Sequence, residues 1–332
     1  MRDEVLVLGA GGPAGYNVAA AAANAGYRVI GYDSSEDHLA FAAKVCEETT
    51  TKIEFKWGTP VLPQPESLVV KCAEWRDEGI MNYHGPRTAV IRLLQDKLHA
   101  CQMWSEYGIK TKSPMLIGPE LPDWLHQAKD RFGMPYWLRV RSGAGARGAI
   151  IVEDLREAYH WVRLHQVRFG ESVEFMAEEY LPGRDFCWTA LYHEGYRVAS
   201  FSRERLEWLY PHLAPFSGRT GTPTRSRIVH DSVVATIGEH AVATVDMEPH
   251  GVYCVDMRED AAGVPQPTEI NAGRWATTSP LYRHFGSNLV AAQIRLANGD
   301  SVGFAQLGDD CYPHGVVLNR HIDMGTVTQW RP

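Results

Sequence analysis

Val252-Tyr-Cys-Val-Asp256-Met-Arg258 and Pro267-Thr-Glu269-Ile-Asn271 are two strand-like runs flanking the turn segment Glu259-Asp-Ala-Ala-Gly-Val-Pro265. The Asp and Gly between them are turn residues. An antiparallel hairpin centred between Ala262 and Gly263 sets Asp256 opposite Glu269. Side chains alternate along a strand, so Glu269 and Asn271 share a face. Two carboxylates about 5 Å apart repel by roughly 3 kcal/mol at an effective dielectric near 20. Such a face needs a cation beside it. Hard oxygen ligands suit Mg²⁺, which also carries waters and nucleotide phosphates. The same run also reads as a solvated hairpin face with two scattered acids, and the surrounding sequence bears on the choice.

The chain has 332 residues, 45% hydrophobic and 22% charged, long enough for a large core in two or three lobes. Its net charge of −7 offers nothing to a nucleic acid or an anionic membrane. Any anion site must therefore be built from local basic groups. No apolar run reaches the length of a membrane span. The start, Met-Arg-Asp-Glu-Val-Leu-Val-Leu, enters a strand at once without a signal-peptide layout. Six dispersed cysteines fit reduced thiols better than a disulfide framework or a zinc site. Together these predict a cytoplasmic protein.

Upstream of the hairpin, Gly9-Ala-Gly11-Gly12-Pro13-Ala14-Gly15 separates a buried strand from an Ala-rich helix, and a second strand ends at Asp33. This is a Rossmann-like half, with N–H groups free at a helix N-terminus. It reads either as an NAD(P) site with Asp33 on a ribose hydroxyl or as a turn without a dinucleotide. Gly58 to Pro65 reads as a loop, and Leu68 to Glu78 as strand or helix. One helix is expected from about Thr88 through Trp104, stopping at Gly108. Ile109 to Pro114 then leads out as an extended connection.

Pro135 to Val152 reads as strand, small-residue loop, strand, with Ser142-Gly143-Ala-Gly145-Ala-Arg147-Gly148 at the tip. Glycines let backbone N–H groups approach phosphate, and Arg139 and Arg147 offer guanidinium forks. A solvated hairpin is the other reading. Phe175 to Leu191 reads as two strands around Pro182-Gly183. Tyr180 and Leu181 expose backbone groups for an adenine edge, and Asp185 follows at a distance suited to a sugar hydroxyl. A routine hairpin with an acidic edge is the alternative. Tyr196 to Arg205 reads as a strand ending in Ser202-Arg203-Glu204-Arg205, and a long loop is expected from Trp208 to Arg227; within the basic run Arg203 to Arg227, Arg205 and Arg219 are aimed at an acidic substrate.

In this order the segments resemble the ATP-grasp superfamily, in the flavour of biotin carboxylase and a single synthetase unit of carbamoyl-phosphate synthetase. Asp96-Lys97 before Gly108-Ile109 through Pro114, Arg139, the Ser142 to Gly148 loop, the Glu178-Glu179-Tyr180-Leu181 run with Asp185, and Glu269-x-Asn271-x-x-Arg274 carry the resemblance. The arginine after the asparagine is displaced by one position from the family's Glu-x-Asn-Pro-Arg.

The resemblance implies an α/β ATP-grasp fold with an N-terminal Rossmann-like unit over residues 1–92. A central lobe with the lid would span 93–174, and a C-terminal lobe with the hinge and metal hairpin 175–332. It implies an ATP-dependent carboxylate-amine ligase working through an acyl phosphate. ATP would be held by Lys97, Arg139, Ser142, Gly143, Gly145, Arg147, Glu178, Glu179, Tyr180, Leu181 and Asp185. Mg²⁺ (or Mn²⁺) would sit on Asp256, Glu269 and Asn271. Arg274, Arg205 and Arg219 would act on the acyl phosphate or the acidic substrate, with Gly11, Gly12 and Pro13 beside the carboxylate. The expected partners are a small-molecule carboxylate and amine, without nucleic acid or membrane, and a homodimer stays open. The competing readings are an NAD(P)-dependent oxidoreductase built on Gly9 to Asp33 and a non-catalytic nucleotide-binding module.

Overall fold

The computed structural model describes residues 3–54, 56–143, 148–214, 217–218, 221–302 and 308–321, and the backbone of 325–330. The N-terminal unit alternates β1 (Glu4–Leu8), α1 (Pro13–Asn24), β2 (Arg28–Tyr32), α2 (Glu36–Ala42), β3 (Glu48–Thr50), β4 (Val61–Pro63) and α3 (Glu66–Asp77). Its four strands run parallel in the order β3-β2-β1-β4, the Rossmann-like arrangement that strand–helix alternation dictates. At Gly15 a Cβ would lie 2.0 Å from the Gly9 oxygen, so the helix can meet the turn this closely only without a side chain. Leu68 to Glu78 proves helical, and the expected Gly58 to Pro65 loop contains β4.

The single helix expected after Thr88 is two: α4 (Thr88–Leu94) and α5 (Lys97–Glu106). Asp96 breaks it. Its carboxylate accepts from the Leu98 and His99 backbone N–H groups, as an N-cap does, and it also pairs with Arg141. The arginine contact, chiefly, holds its carboxyl below the usual range. Lys97 is thereby fixed at the first position of α5.

The central unit consists of β5 (Met115–Ile117), α6 (Leu121–Phe132), β6 (Tyr136–Val140), β7 (Ile150–Val152), α7 (Leu155–Phe169) and β8 (Phe175–Glu179). Its sheet has the order β5-β8-β6-β7 and is antiparallel throughout. Leu121, Leu125 and Ala128 of α6 and Ala158 and Val162 of α7 form its core with the strands.

The third sheet is built from β9 (Asp185–His193), β10 (Tyr196–Trp208), β11 (Pro223–Val229), β12 (Gly251–Glu259), β13 (Pro265–Ala272), β14 (Val316–His321) and β15 (Gly325–Trp330). Its order is β13-β12-β9-β10-β11-β14-β15. Helices α8 (Ser232–Val245) and α9 (Leu289–Ala297) complete the unit. The alternation along β9 explains why it is buried almost from end to end. Cys187 and Leu191 face α1, α9 and the N-terminal sheet, while Phe186, Trp188 and Ala190 face α5 and α8. Two apolar cores thus share one strand.

The two strands read around Pro182-Gly183 are β8 and β9; they belong to different sheets and do not pair, which sets aside the alternative of a routine hairpin. The strand read from Tyr196 to Arg205 is β10, which runs on to Trp208, while the expected Trp208 to Arg227 loop contains β11 with Arg225 and Arg227. The polar residues mislead because an arginine-rich strand lacks the apolar alternation that marks one.

Candidate functional site

The hairpin register holds. Asp256 lies opposite Glu269 on β12 and β13, with an irregularity between Asp256 and Met257 that moves the turn by one residue. Asn271 donates an amide hydrogen to Glu269 Oε1 at 3.3 Å, placing both on one face, and Arg274 donates to Asn271 Oδ1 at 2.8 Å. This face forms one wall of a cavity of about 360 Å³. The other walls come from α5, β6, the β8–β9 link and β10.

The cation that the acid pair requires is supplied by the chain. Arg205 donates to Asp256 Oδ1 at 2.5 Å and to Asp185 Oδ1 at 3.1 Å. Lys97 Nζ lies 3.9 Å and Arg139 Nη1 3.8 Å from Glu269 Oε2. The cations expected beside this face are thus, in part, the chain's own side chains. Burial would raise the Glu269 carboxyl, but Lys97, Arg139 and Asn271 bring it below its ordinary value. Asp256 is pushed up, first by burial and then by the Cys187 and Glu269 charges, against the pull of Arg205. The pair therefore behaves unequally, as two close carboxylates do.

Arg139 projects from β6 and is buried. It donates to Glu178 Oε1 at 2.8 Å and to the Thr268 carbonyl at 3.0 Å. Glu178 is fully buried and also accepts from Lys112 Nζ at 2.9 Å. The Glu178 side chain is thus the counter-ion behind two cavity cations and does not line the cavity, which corrects its expected part in the hinge. Glu179, Tyr180, Leu181 and Asp185 do line it. Lys97 is buried, and Nζ also donates to the Gly143 carbonyl. Burial lowers the pKa of both Lys97 and Lys112.

Gly143 lines the cavity; Ser142, two residues past the end of β6, does not. Gly145, Arg147 and Arg219 lie outside the described residues. Gly11, Gly12 and Pro13 do not line the cavity. Their helix reaches it at one remove: Asn17 Nδ2 donates to the carbonyl of Thr277, a lining residue, at 2.7 Å. Asp33 is occupied within the glycine turn, accepting from Gly11 N at 3.1 Å and Ser35 N at 3.2 Å. That is a structural use of the acid that the oxidoreductase reading gives to a ribose.

Three lining cations were not singled out by sequence. Lys112 sits in the extended connection, and nothing local marks it, since its partner is 66 residues away. Arg203 is 1% exposed. It donates to the Thr278 hydroxyl and, at 3.5 Å, to Cys187 Sγ, and it has no carboxylate partner among the described residues. Arg258 is held over the Tyr180 ring, 5.6 Å from its centroid. Strand parity with Asp256 could have found Arg258. Among the described residues, seven Lys and Arg side chains line the cavity against four carboxylates.

As a donor set, Asp256, Glu269 and Asn271 fit a hard divalent cation, offering two carboxylates and a carboxamide on one wall. Binding would require Arg205 and Arg274 to share the oxygens they now hold.

No protein-family model matches the sequence, and no curated protein matches it. Solved structures do. The biotin carboxylase domain of Hydrogenobacter thermophilus 2-oxoglutarate carboxylase, in complex with MgADP and bicarbonate, superposes with TM-score 0.72 at 15% identity, covering 96% of this chain and 74% of that one. Phosphoribosylamine–glycine ligase from Thermotoga maritima gives 0.70 at 17%, covering 95% and 79%. The ADP complex of N5-carboxyaminoimidazole synthetase from Staphylococcus aureus gives 0.67 at 17%, covering 96% and 83%. Sequence similarity at this level speaks to architecture, and over nearly its whole length the chain has the ATP-grasp fold with an N-terminal Rossmann-like unit.

Proposed function

We propose that this chain is an ATP-dependent ligase that activates a small carboxylate as an acyl phosphate and joins it to an amine, releasing ADP and phosphate. The observation that carries the reading is the excess of cations around the Asp256–Glu269–Asn271 wall, in a chain whose net charge is −7. A cavity so charged fits a polyanion, and the acid wall fits the metal that accompanies it. The resemblance of the fold to ligases solved with ADP and MgADP supports the same reading. A three-part division, one unit per sheet, belongs to it; because β8 (Phe175–Glu179) pairs with β5 and β6, the second boundary falls after Glu179 and not at the expected 174/175.

In this reading Lys97, Lys112 and Arg139 take the phosphates, and Glu178 holds the last two in position. Glu179, Tyr180 and Leu181 border the adenine, and the Asp185 carboxylate reaches a ribose hydroxyl by sharing Arg205. The metal, held by Asp256, Glu269 and Asn271, would neutralise charge on the β- and γ-phosphates. The substrate carboxylate oxygen attacks the γ-phosphorus and ADP leaves. The amine then attacks the acyl carbon, loses a proton, and phosphate leaves. Arg274 stands beside the acid wall to hold the acyl phosphate. Arg203, a buried guanidinium without a carboxylate, suits the acidic substrate. The cavity walls keep water from the acyl phosphate. Gly11 to Pro13 then act indirectly, through Asn17 and Thr277.

An ADP-release screen over paired carboxylates and amines, with products identified by mass spectrometry, tests this. The expected result is Mg²⁺-dependent ADP release that needs both substrates and is largely lost in Glu269→Gln. Turnover in that variant equal to wild type at saturating Mg²⁺ would remove the metal assignment.

A further inference from the structure

At the opposite end of β9 from Asp185, three histidines from separate parts of the chain meet. His84 lies between α3 and α4, His193 ends β9, and His250 immediately precedes β12. One ring nitrogen or other of each lies within 4.8 Å of those of the other two. His84 Nε2 and His193 Nδ1 are 3.1 Å apart, and the His84 and His250 ring centroids are 4.1 Å apart. Eight residues of extended strand separate His193 from Asp185, roughly 26 Å at about 3.3 Å per residue. The cluster is therefore remote from the cavity.

The backbone is shaped to bring these rings together. Gly251 has φ +85°, and a Cβ there would lie 2.5 Å from Gly85 Cα and 3.0 Å from the His84 carbonyl oxygen. Only glycine permits that approach. The His84 carbonyl accepts from buried Gln293 Nε2 at 2.9 Å, and Gly195 N donates to the Pro249 carbonyl at 2.9 Å, tying the β9–β10 turn to the segment that bears His250. His84 is 3% exposed, and its Nδ1 is buried with no hydrogen-bond partner among the described residues. Arg76, whose charge acts on both His84 and His250, is spoken for: it donates to the Pro86 carbonyl at 3.0 Å and pairs with Asp77 at 2.7 Å.

We propose that His84, His193 and His250 form a binding site for a divalent transition-metal ion, Zn²⁺ foremost, that fastens the N-terminal unit to the seven-stranded sheet. Three imidazoles and an open fourth position suit zinc, with Zn–N distances of about 2.0–2.1 Å. Two nitrogens on one tetrahedral ion stand about 3.3 Å apart by that geometry, close to the spacing of His84 Nε2 and His193 Nδ1. His193 and His250 are only partly buried and can turn to close the remaining distance. The ion would replace the His84–His193 hydrogen bond and displace the Glu194 backbone N–H that now donates to His250 Nδ1 at 3.2 Å. The burial that keeps His84 and His250 uncharged, with their pKa values lowered to about 2 and about 4, also keeps their lone pairs available near neutral pH. The site owes nothing to the ligase reading, because its residues take no part in the cavity.

The test is metal binding by the full chain after chelator treatment and removal of the chelator. Co²⁺ titration, followed by visible absorption, should give one equivalent with the intense bands of a tetrahedral site, displaced by one equivalent of Zn²⁺. Zn²⁺ should also raise the melting temperature. His84→Asn is avoided because that ring is in the core. His193→Gln and His250→Asn, at partly exposed positions, should each weaken binding by at least about 100-fold, while Glu269→Gln retains it. Absence of tetrahedral Co²⁺ in the wild type, or binding unchanged in the His193→Gln/His250→Asn double variant, would overturn the proposal.

Discussion

Glu178→Gln removes the charge that two buried cations share while keeping the side chain's size. Glu178 is 0% exposed and lies 2.9 Å from Lys112 Nζ and 2.8 Å from Arg139 Nη2. Lys112 and Arg139 are themselves 6% and 8% exposed, so solvent cannot take over the counter-ion's part. Removing one partner of a buried ion pair costs about 3–5 kcal/mol. Here one carboxylate serves two cations, so the upper half of that range is expected at pH 7, read as a fall in the urea midpoint at constant slope. The loss should shrink on raising the pH. Burial lowers the Lys112 pKa against the opposing pull of Glu178, and without Glu178 it falls further. The folded variant then binds fewer protons than its unfolded chain below about pH 10.4, so its stability relative to wild type rises with pH. Urea titrations at pH 7 and pH 9.5 on both proteins measure this. A midpoint within error of wild type at pH 7, or a deficit that grows with pH, would refute the account of Glu178 as the shared counter-ion.

Gly251→Ala should destabilise the chain by roughly 1–3 kcal/mol or more, since it combines a left-handed φ with a backbone collision; a melting temperature equal to wild type would contradict this. Acid should loosen the histidine cluster. With the His250 pKa lowered to about 4 by burial, its contribution is intact above about pH 6.5 and is lost between there and about pH 4, where the unfolded chain takes up protons that folded His250 refuses; His84, lowered to about 2, extends the loss below that window. In chelator, His250→Asn should therefore flatten the stability profile across that window by up to about 1.4 kcal/mol per pH unit; parallel profiles would count against it. Arg139→Ala should lose at least about 2 kcal/mol in kcat/KM for ATP, with Arg139→Lys recovering part; unchanged ATP kinetics would take Arg139 out of the site.

The hairpin acids were legible because strand parity and a short turn fix register locally, and Asp256 meets Glu269 as read. The glycine turn was legible for the same reason, since a close approach leaves a local mark; the helix start at Asp96-Lys97 comes only with the family resemblance, the residues by themselves reading as one helix from Thr88. What sequence did not disclose is pairing at long range. Nothing near Lys112 or Glu178 announces that they meet, and nothing near Arg205 announces that one guanidinium spans Asp185 and Asp256. The stretch from Trp208 to Arg227 reads as loop because β11 carries half-exposed Arg225 and Arg227 and so lacks the apolar alternation that marks a strand. His84, His193 and His250 passed unnoticed because 109 and 57 residues separate them, without metal-ligand spacing.

Calorimetric titration of the full chain with ATP, with and without Mg²⁺, tests the central claim most directly. The account predicts one site per chain that is tighter with Mg²⁺, is severely weakened by Arg139→Ala, loses its metal dependence in Glu269→Gln, and gives no comparable heat with NAD or NADP. Absence of ATP binding, or binding indifferent to Mg²⁺ and to both substitutions, would contradict it.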